Sequence, residues 1–352
     1  MLNSVNRPSW LLNITHDIFS TILYLLDRNL KGGFHMAKKR SAGVAGLGHV
    51  GAHAAFCLGM MGIADEILLC DVKEQKAISE CQDLNDAVMY MPNHTVYKVT
   101  DYAGLKDCDV IINAVGDVSL CATGNRDDEL GNSVRQVADY VPKVMKAGFD
   151  GIFVTITNPC DVIAHLIAKL SGLPRGRVVG TGTLLDSSRL IHAISDQTGL
   201  DARGFFAFMM GEHGSAQMVP WSQVNFYGQT LAQMERDPRF IFDKDRVQEK
   251  AIKGGWVTYQ GKQCTEYGIA SAAATLVRTI FHDEKRILPC SVELSGEYGE
   301  HDVFCGVPAV IGIHGVEEVL EYRLTADEMK RFKECVDTIH RNIERGNQFL
   351  PR

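Results

Sequence analysis

The sequence predicts an α/β protein: a doubly wound parallel sheet followed by a C-terminal α+β substrate domain. Three observations carry this expectation. Short apolar, β-branched runs alternate with helical patterns through the first half, as βαβ units require. A glycine-rich turn, Gly46-Leu47-Gly48-His49-Val50-Gly51, joins the first of those runs to an Ala-rich helical stretch. Beyond Gly182 the alternation gives way to longer strands mixed with long helices.

In chain order, residues 41–46 read as a buried strand, and the helix after the glycine turn runs to about Gly62. Residues 66–70 form a second strand that ends at Asp71. Residues 109–115 and 151–157 are further strands, each followed by a loop and a helical pattern. A helix after Asn158-Pro159 and a strand over 178–182 close this half. Right-handed crossovers between such parallel strands wind the sheet on both faces. In the second half, residues 205–211, 219–227 and 303–313 are expected as antiparallel strands. Thr325-Ala326-Asp327-Glu328 has the spacing of a capping box and opens an amphipathic helix through about Ile343. The expected division is an extension over 1–37, a dinucleotide-binding domain over 38–182 and a substrate domain over 183–348.

At 352 residues the chain exceeds one small core. Its 45% hydrophobic and 22% charged content is ordinary for a globular protein. A net charge of −7 argues against nucleic acid, which calls for a basic face, but does not exclude small anions held by local arginines. The 10 cysteines are scattered without a CxxC pair or zinc spacing, so no metal is expected and a reducing cytoplasm is. Trp10 to Leu26 is apolar but interrupted by Thr15, His16 and Asp17, too short to span a membrane. It also lacks the charged start and small-residue cleavage site of a secretory signal. Lys31-Gly32-Gly33-Phe34-His35-Met36 back-translates to a purine-rich ribosome-binding site before a start codon. Synthesis is therefore expected to begin at Met36, with the preceding residues disordered or a start-site artefact. Trp10 found in the natural protein by mass spectrometry would refute that.

A lone GxGxxG is weak, but here it follows a strand, opens a helix and has an acid at the end of the next strand, about 20 residues on. Gly46 permits the tight turn, Gly48 lets the backbone approach a pyrophosphate, and Gly51 allows close helix–strand packing. The helix N-terminus offers amides and partial positive charge. Asp71 accepts from the adenosine ribose hydroxyls and repels a 2′-phosphate, favouring NAD over NADP. This is the Rossmann pattern. Downstream, Leu185-Asp186-Ser187-Ser188-Arg189 and Gly211-Glu212-His213-Gly214 offer a carboxylate, a guanidinium and an imidazole. Reducing a 2-oxo acid with a nicotinamide needs those groups: one clamps the substrate carboxylate, one passes a proton, one steadies the proton carrier.

With the glycine loop, these segments and Thr157-Asn158-Pro159-Cys160-Asp161, the chain resembles the L-lactate/malate dehydrogenase family over residues 38–346. Within that family it is most similar to the L-2-hydroxyisocaproate dehydrogenase branch. The resemblance implies that His213 is the proton donor and acceptor and that Asp186 bonds its far nitrogen. It implies that Arg189 pairs bidentately with the substrate carboxylate. Arg126 falls where the family's mobile-loop arginine polarises the reacting carbonyl. Asn158 matches the asparagine that binds substrate and nicotinamide, Gly116 lies on the coenzyme side, Ile269 presses on the nicotinamide and Thr265 lines the pocket.

Lactate enzymes of the family carry Gln, and malate enzymes Arg, on the loop before Arg126. Residues 117–123 here contain neither. Leu120 or Cys121 presents an apolar surface instead, suiting a larger aliphatic 2-oxo acid such as 2-oxoisocaproate. Ile191 and Phe206 replace the Arg and His of fructose-bisphosphate-activated bacterial enzymes, so no such activation is expected. Ser215 stands where lactate and malate enzymes usually have Asp. The family implies a homodimer or homotetramer. An ordinary L-lactate dehydrogenase and a non-catalytic NAD-binding protein remain as alternatives.

Overall fold

The computed structural model describes residues 38–117, 119–120 and 126–351, without the side chains of residues 126–128. In chain order the strands are β1 (Ser41–Ala45), β2 (Glu66–Cys70), β3 (Val96–Val99), β4 (Val110–Asn113), β5 (Ile152–Thr155), β6 (Val178–Gly180), β7 (Asn225–Phe226), β8 (Gln229–Thr230), β9 (Arg286–Ser295), β10 (His301–Gly312) and β11 (Gly315–Val319). The helices are α1 (His49–Met60), α2 (Glu74–Val88), α3 (Arg126–Ala147), α4 (Cys160–Ser171), α5 (Leu184–Thr198), α6 (Leu231–Met234), α7 (Lys244–Lys262), α8 (Tyr267–Phe281) and α9 (Ala326–Asn347).

Nine of the strands form one sheet in the order β11-β10-β9-β6-β5-β4-β1-β2-β3. The six from β3 to β6 are parallel, and the order reverses between β1 and β4. Such a switch point opens a crevice at the carboxyl ends of its strands. Continuous apolar sequence explains the central strands: every residue of β1, β4 and β5 is buried, as parallel strands covered on both faces must be. The antiparallel strands β9, β10 and β11 do not form a separate sheet. They join β6 through the pair Gly180 and Ser291.

The expected strands over 205–211 and 219–227 are corrected. Phe206 bridges only Asn225, Met210 bridges Met218 and Gly211 bridges Gly306, and the second stretch keeps just the two residues of β7 in a hairpin with β8. Their apolar side chains instead fill two cores: Ala207, Met209, Val224 and Phe226 pack with Leu190 of α5 and Val247 of α7 in a second core, while Phe208, Met210 and Met218 join the main one. The strand over 303–313 is present as β10. Thr325 and Glu328 form the reciprocal capping box at the start of α9. Among the described residues no helix is long and apolar enough to cross a membrane.

Candidate active site

The coenzyme side begins where β1 delivers the chain to Gly46. Its φ is +91°, and a Cβ there would lie 2.6 Å from the Ala114 carbonyl oxygen. Gly51 is tighter still: a Cβ would stand 1.9 Å from the Gly46 carbonyl oxygen, so α1 packs on the loop only without a side chain. Gly48 is the opposite case, with nothing within 4 Å of its Cβ position. A crowded frame around one open glycine, in front of the first amides of α1, leaves a cradle that fits a pyrophosphate. Asp71, just past β2, accepts the Leu47 amide at 2.8 Å through Oδ2 and the Lys73 amide at 2.9 Å through Oδ1. Each oxygen retains acceptor capacity for a ribose hydroxyl.

Across the switch point, Gly116 follows β4. A buried polar network sets the strand ends beside it: Asn113 donates to Thr155 at 2.8 Å and Thr157 at 3.1 Å, Tyr140 donates to Asn113 at 2.8 Å, and Thr157 donates to the Val115 carbonyl at 2.7 Å. Asn158 is exposed directly after it. Helix α8 packs along α1. It carries Ile269, half-buried in its first turn, with Thr265 half-buried just before it. The buried Glu266 lies 3.3 Å from His53 and 3.8 Å from His49 on the first turns of α1, and 3.5 Å from Lys262.

The chemical cluster is built on α5. Asp186 and Arg189 lie three residues apart and so share one face of that helix. Arg189 Nη1 donates to Asp186 Oδ1 at 2.7 Å, and His213 Nδ1 lies 2.6 Å from Asp186 Oδ2. An ionised carboxylate can only accept, so the shared proton is assigned to Nδ1, leaving Nε2 for other partners. Asp186 is only 1% exposed, against 22% for the His213 side chain. Burial pushes the Asp186 carboxyl up, but the charge and hydrogen bond of His213, then those of Arg189, outweigh it and hold it below the usual carboxylate range. For His213, burial pulls the ring down. Asp186, by charge and hydrogen bond, and then the charge of Asp161 more than reverse this, against Arg189, so the ring sits above its ordinary value.

The scaffold fixes this cluster tightly. Thr183 Oγ1 donates to the Met209 carbonyl at 2.8 Å, and Ser187 Oγ accepts the Met209 amide at 2.9 Å, clipping the start of α5 to the strand-like run before His213. Gly211 and Gly306 exchange both backbone bonds at 2.9 Å. Glu212 accepts the Ala216 amide, and Gln217 donates to the Gly214 carbonyl at 2.7 Å, closing the turn.

Of the expected site residues, His213, Asp186 and Arg189 form one bonded cluster. Gly46, Asp71 and Gly116 follow the ends of β1, β2 and β4, Gly48 caps α1 and Gly51 lies in its first turn. Leu120 is half-buried in a short helical turn after Asp117. Arg126 opens α3, but its side chain, like all of Cys121, lies outside the described residues. Ile191 is half-buried on α5, and Phe206 and Ser215 are exposed.

The sequence reading missed two features. Asp161, 2% exposed, accepts the His213 amide at 2.7 Å and the Ser291 hydroxyl at 2.5 Å. Its signal was an acid inside the otherwise apolar run of α4. Gly254 and Gly255, in the middle of α7, face Arg189: Cβ atoms there would lie 2.9 Å from Arg189 Cδ and 3.4 Å from Nη2. Adjacent glycines inside a helix, each costing about 1 kcal/mol relative to Ala, were the available clue.

A switch-point glycine cradle with an acid at the next strand defines a dinucleotide-binding protein. Comparison with known proteins makes this specific. Residues 42–180 match the NAD-binding domain, and residues 183–350 the alpha/beta C-terminal domain, of lactate/malate dehydrogenase. The chain is 38% identical over 317 residues to an L-lactate dehydrogenase of Fusobacterium nucleatum, covering 89% of this chain and 99% of the relative. It is 40% identical over 303 residues to L-lactate dehydrogenase 3 of Bacillus cereus, covering 85% of this chain and 96% of the relative. The ligand-bound minor L-lactate dehydrogenase of Enterococcus mundtii superposes with a TM-score of 0.82 at 30% identity, covering 87% of this chain and 98% of that one. The chain belongs to the lactate/malate dehydrogenase family. It is an NAD-dependent oxidoreductase acting on the CH–OH group of 2-hydroxy acids.

Proposed function

We propose that the protein is an L-2-hydroxyacid dehydrogenase that reversibly reduces aliphatic 2-oxo acids of the 2-oxoisocaproate kind, with His213 as the proton carrier. One observation supports it above all: the imidazole, its buried carboxylate partner and a guanidinium meet within hydrogen-bond distance. The coenzyme is held by Gly46, Gly48, Gly51, Asp71, Gly116 and Asn158, with Ile269 against the nicotinamide. Bound NADH supplies the hydride. Asp186 keeps the Nδ1 proton in place, so Nε2 is the nitrogen that gives a proton to the developing alkoxide and recovers it in oxidation. Arg189, with one arm tied to Asp186, turns its remaining donors to the substrate carboxylate. Arg126 polarises the carbonyl, where negative charge builds.

Substrate size is read from the loop before Arg126. Residues 117–123 offer no Gln for lactate and no Arg for malate. The half-buried Leu120 or the next residue, Cys121, would stand in their place, and Thr265 is read as lining the other side of the pocket. The second reading, an L-lactate dehydrogenase, is favoured by the names of the similar proteins. A steady-state panel of pyruvate, 2-oxobutyrate, 2-oxoisovalerate, 2-oxoisocaproate and oxaloacetate with NADH separates the two. The branched acids are expected to lead with a shallow gradient, since a methylene is worth about 1–3 kcal/mol. A clear preference for pyruvate replaces the first reading by the second, and NADH binding without oxidation on any of them removes both. The same reading makes the protein a cytoplasmic homodimer or homotetramer.

A further inference from the structure

His213 is held by two buried carboxylates, and the reading above uses only one. Asp161 stands in the first turn of α4, and its two oxygens each take a different partner: the His213 amide at 2.7 Å and the Ser291 hydroxyl at 2.5 Å. Helix α4, strand β9 and the turn carrying His213 therefore meet in one side chain. They meet where the parallel part of the sheet joins the antiparallel part, at the Gly180–Ser291 pair. There is no slack at this joint: a Cβ on Gly180 would lie 2.7 Å from Cys160 Sγ and 2.8 Å from Ser291 Cβ.

The surrounding charges can be assigned. Burial pushes the neighbouring thiol of Cys160 up to about 12 and that of Cys305 higher, so both are neutral. Glu212 turns its carboxylate to the Ala216 amide and Asn342. Burial also pushes Asp161 up to about 6, against the pull of Ser291 and of the His213 amide and ring, and with Glu212 adding to the rise, so it is ionised at neutral pH. Asp186 and Asp161 together favour an imidazolium at His213, against Arg189.

We propose that Asp161 is a positioning residue of the reaction: its carboxylate anchors the His213 backbone to β9 and, as a second negative charge at the ring, favours the imidazolium that reduction consumes. Asp186 fixes the rotation of the ring and Asp161 the place of the backbone that carries it. This rests on His213 being the proton carrier.

The test compares pH profiles of 2-oxo acid reduction. In Asp161→Asn the side-chain oxygen still accepts the amide and the NH2 donates to Ser291, so shape persists and charge is lost. The rate at acid pH should be retained, while its fall at high pH moves about one pH unit lower, with KM for NADH unchanged. Asp161→Ala, which loses the anchor as well, should lower kcat about 10²-fold. Should it not fold, Ser291→Ala removes one anchor alone and should lower kcat by a smaller factor. An Asp161→Asn profile that superimposes on the unaltered protein, or unaltered kcat in the Ala variants, overturns the inference. His213→Gln is measured alongside. If it retains turnover, the underlying reading of His213 fails. If it is inactive and Asp161→Asn is unshifted, only the inference fails.

Discussion

The segment that carries His213 and the described residues at the start of the Leu120 loop are tied down differently. His213 is tied to residues distant in sequence: Asp186 at its ring, Asp161 at its amide, and Gly306 through the neighbouring Gly211. The bonds at the start of the Leu120 loop are local, with Asp117 accepting from the Ser119 amide at 3.0 Å and hydroxyl at 2.6 Å, and its carbonyl from the Leu120 amide at 3.2 Å. Proton transfer tolerates little misplacement, so its groups are fixed from several directions. Selecting a side chain by size needs only a surface of the right shape, which a loop can supply and vary.

The contrast predicts a hierarchy of effects. The largest is at the proposed proton carrier: His213→Gln should cut kcat roughly 10²–10⁴-fold while NADH affinity, followed by fluorescence titration, is unchanged. An equal loss of both would mean that the segment holds the coenzyme site and not the chemistry. Next is Arg189→Lys, which gives up a planar fork for a point charge. Losing one charge-assisted bond of about 1.5–3 kcal/mol should cost about 10- to 150-fold in kcat/KM, and a variant equal to the original would detach Arg189 from the substrate.

The pH profiles come third. His213 is held above its ordinary value, so the protonated ring is present below that raised value and lost as pH rises through it. Reduction needs the imidazolium and should fall about tenfold per pH unit beyond that point. Oxidation needs the neutral ring and should rise over the same range. Profiles of the same sign, with chemistry limiting, would break the pairing with Asp186. The smallest effects belong to the permissive side. Leu120→Gln should shift the ratio of 2-oxoisocaproate to pyruvate activity toward pyruvate by about 1 kcal/mol. If Leu120→Gln moved it more than His213→Gln moves kcat, the proposed division of labour would be reversed.

What was legible in the sequence follows the same division. The glycine loop, Asp71 and the segments around Asp186, Arg189 and His213 are short, and each carries its meaning in residue type and spacing. The buried parallel strands showed as unbroken apolar runs. The exposed edge strand β3, with Lys98 on it, and β9, which begins with Arg286 and contains Pro289, lack that pattern and were not found. The runs before and after His213 misled in the other direction: they are apolar because they fill both cores, with Phe208, Met210 and Met218 in the main one and Ala207, Met209 and Phe226 in the second, and not because they make ladders. Asp161 was invisible as a partner of His213 because 52 residues separate them, and Gly254 because only the fold brings Arg189 against it.

The buried carboxylate of Asp161 also bears on heat tolerance. Its proton affinity is higher in the folded chain than in the unfolded one, about 6 against 3.8, so folding favours the neutral form. The fold is strongest below the lower value and weakens as pH rises through the upper one, a loss of about 3 kcal/mol by neutral pH. Asp161→Asn should therefore melt at a higher temperature than the natural chain at pH 7 and at the same temperature near pH 4, by scanning calorimetry. Charge at this position is thus set against stability: neutralising it should strengthen the fold while narrowing the pH range of reduction.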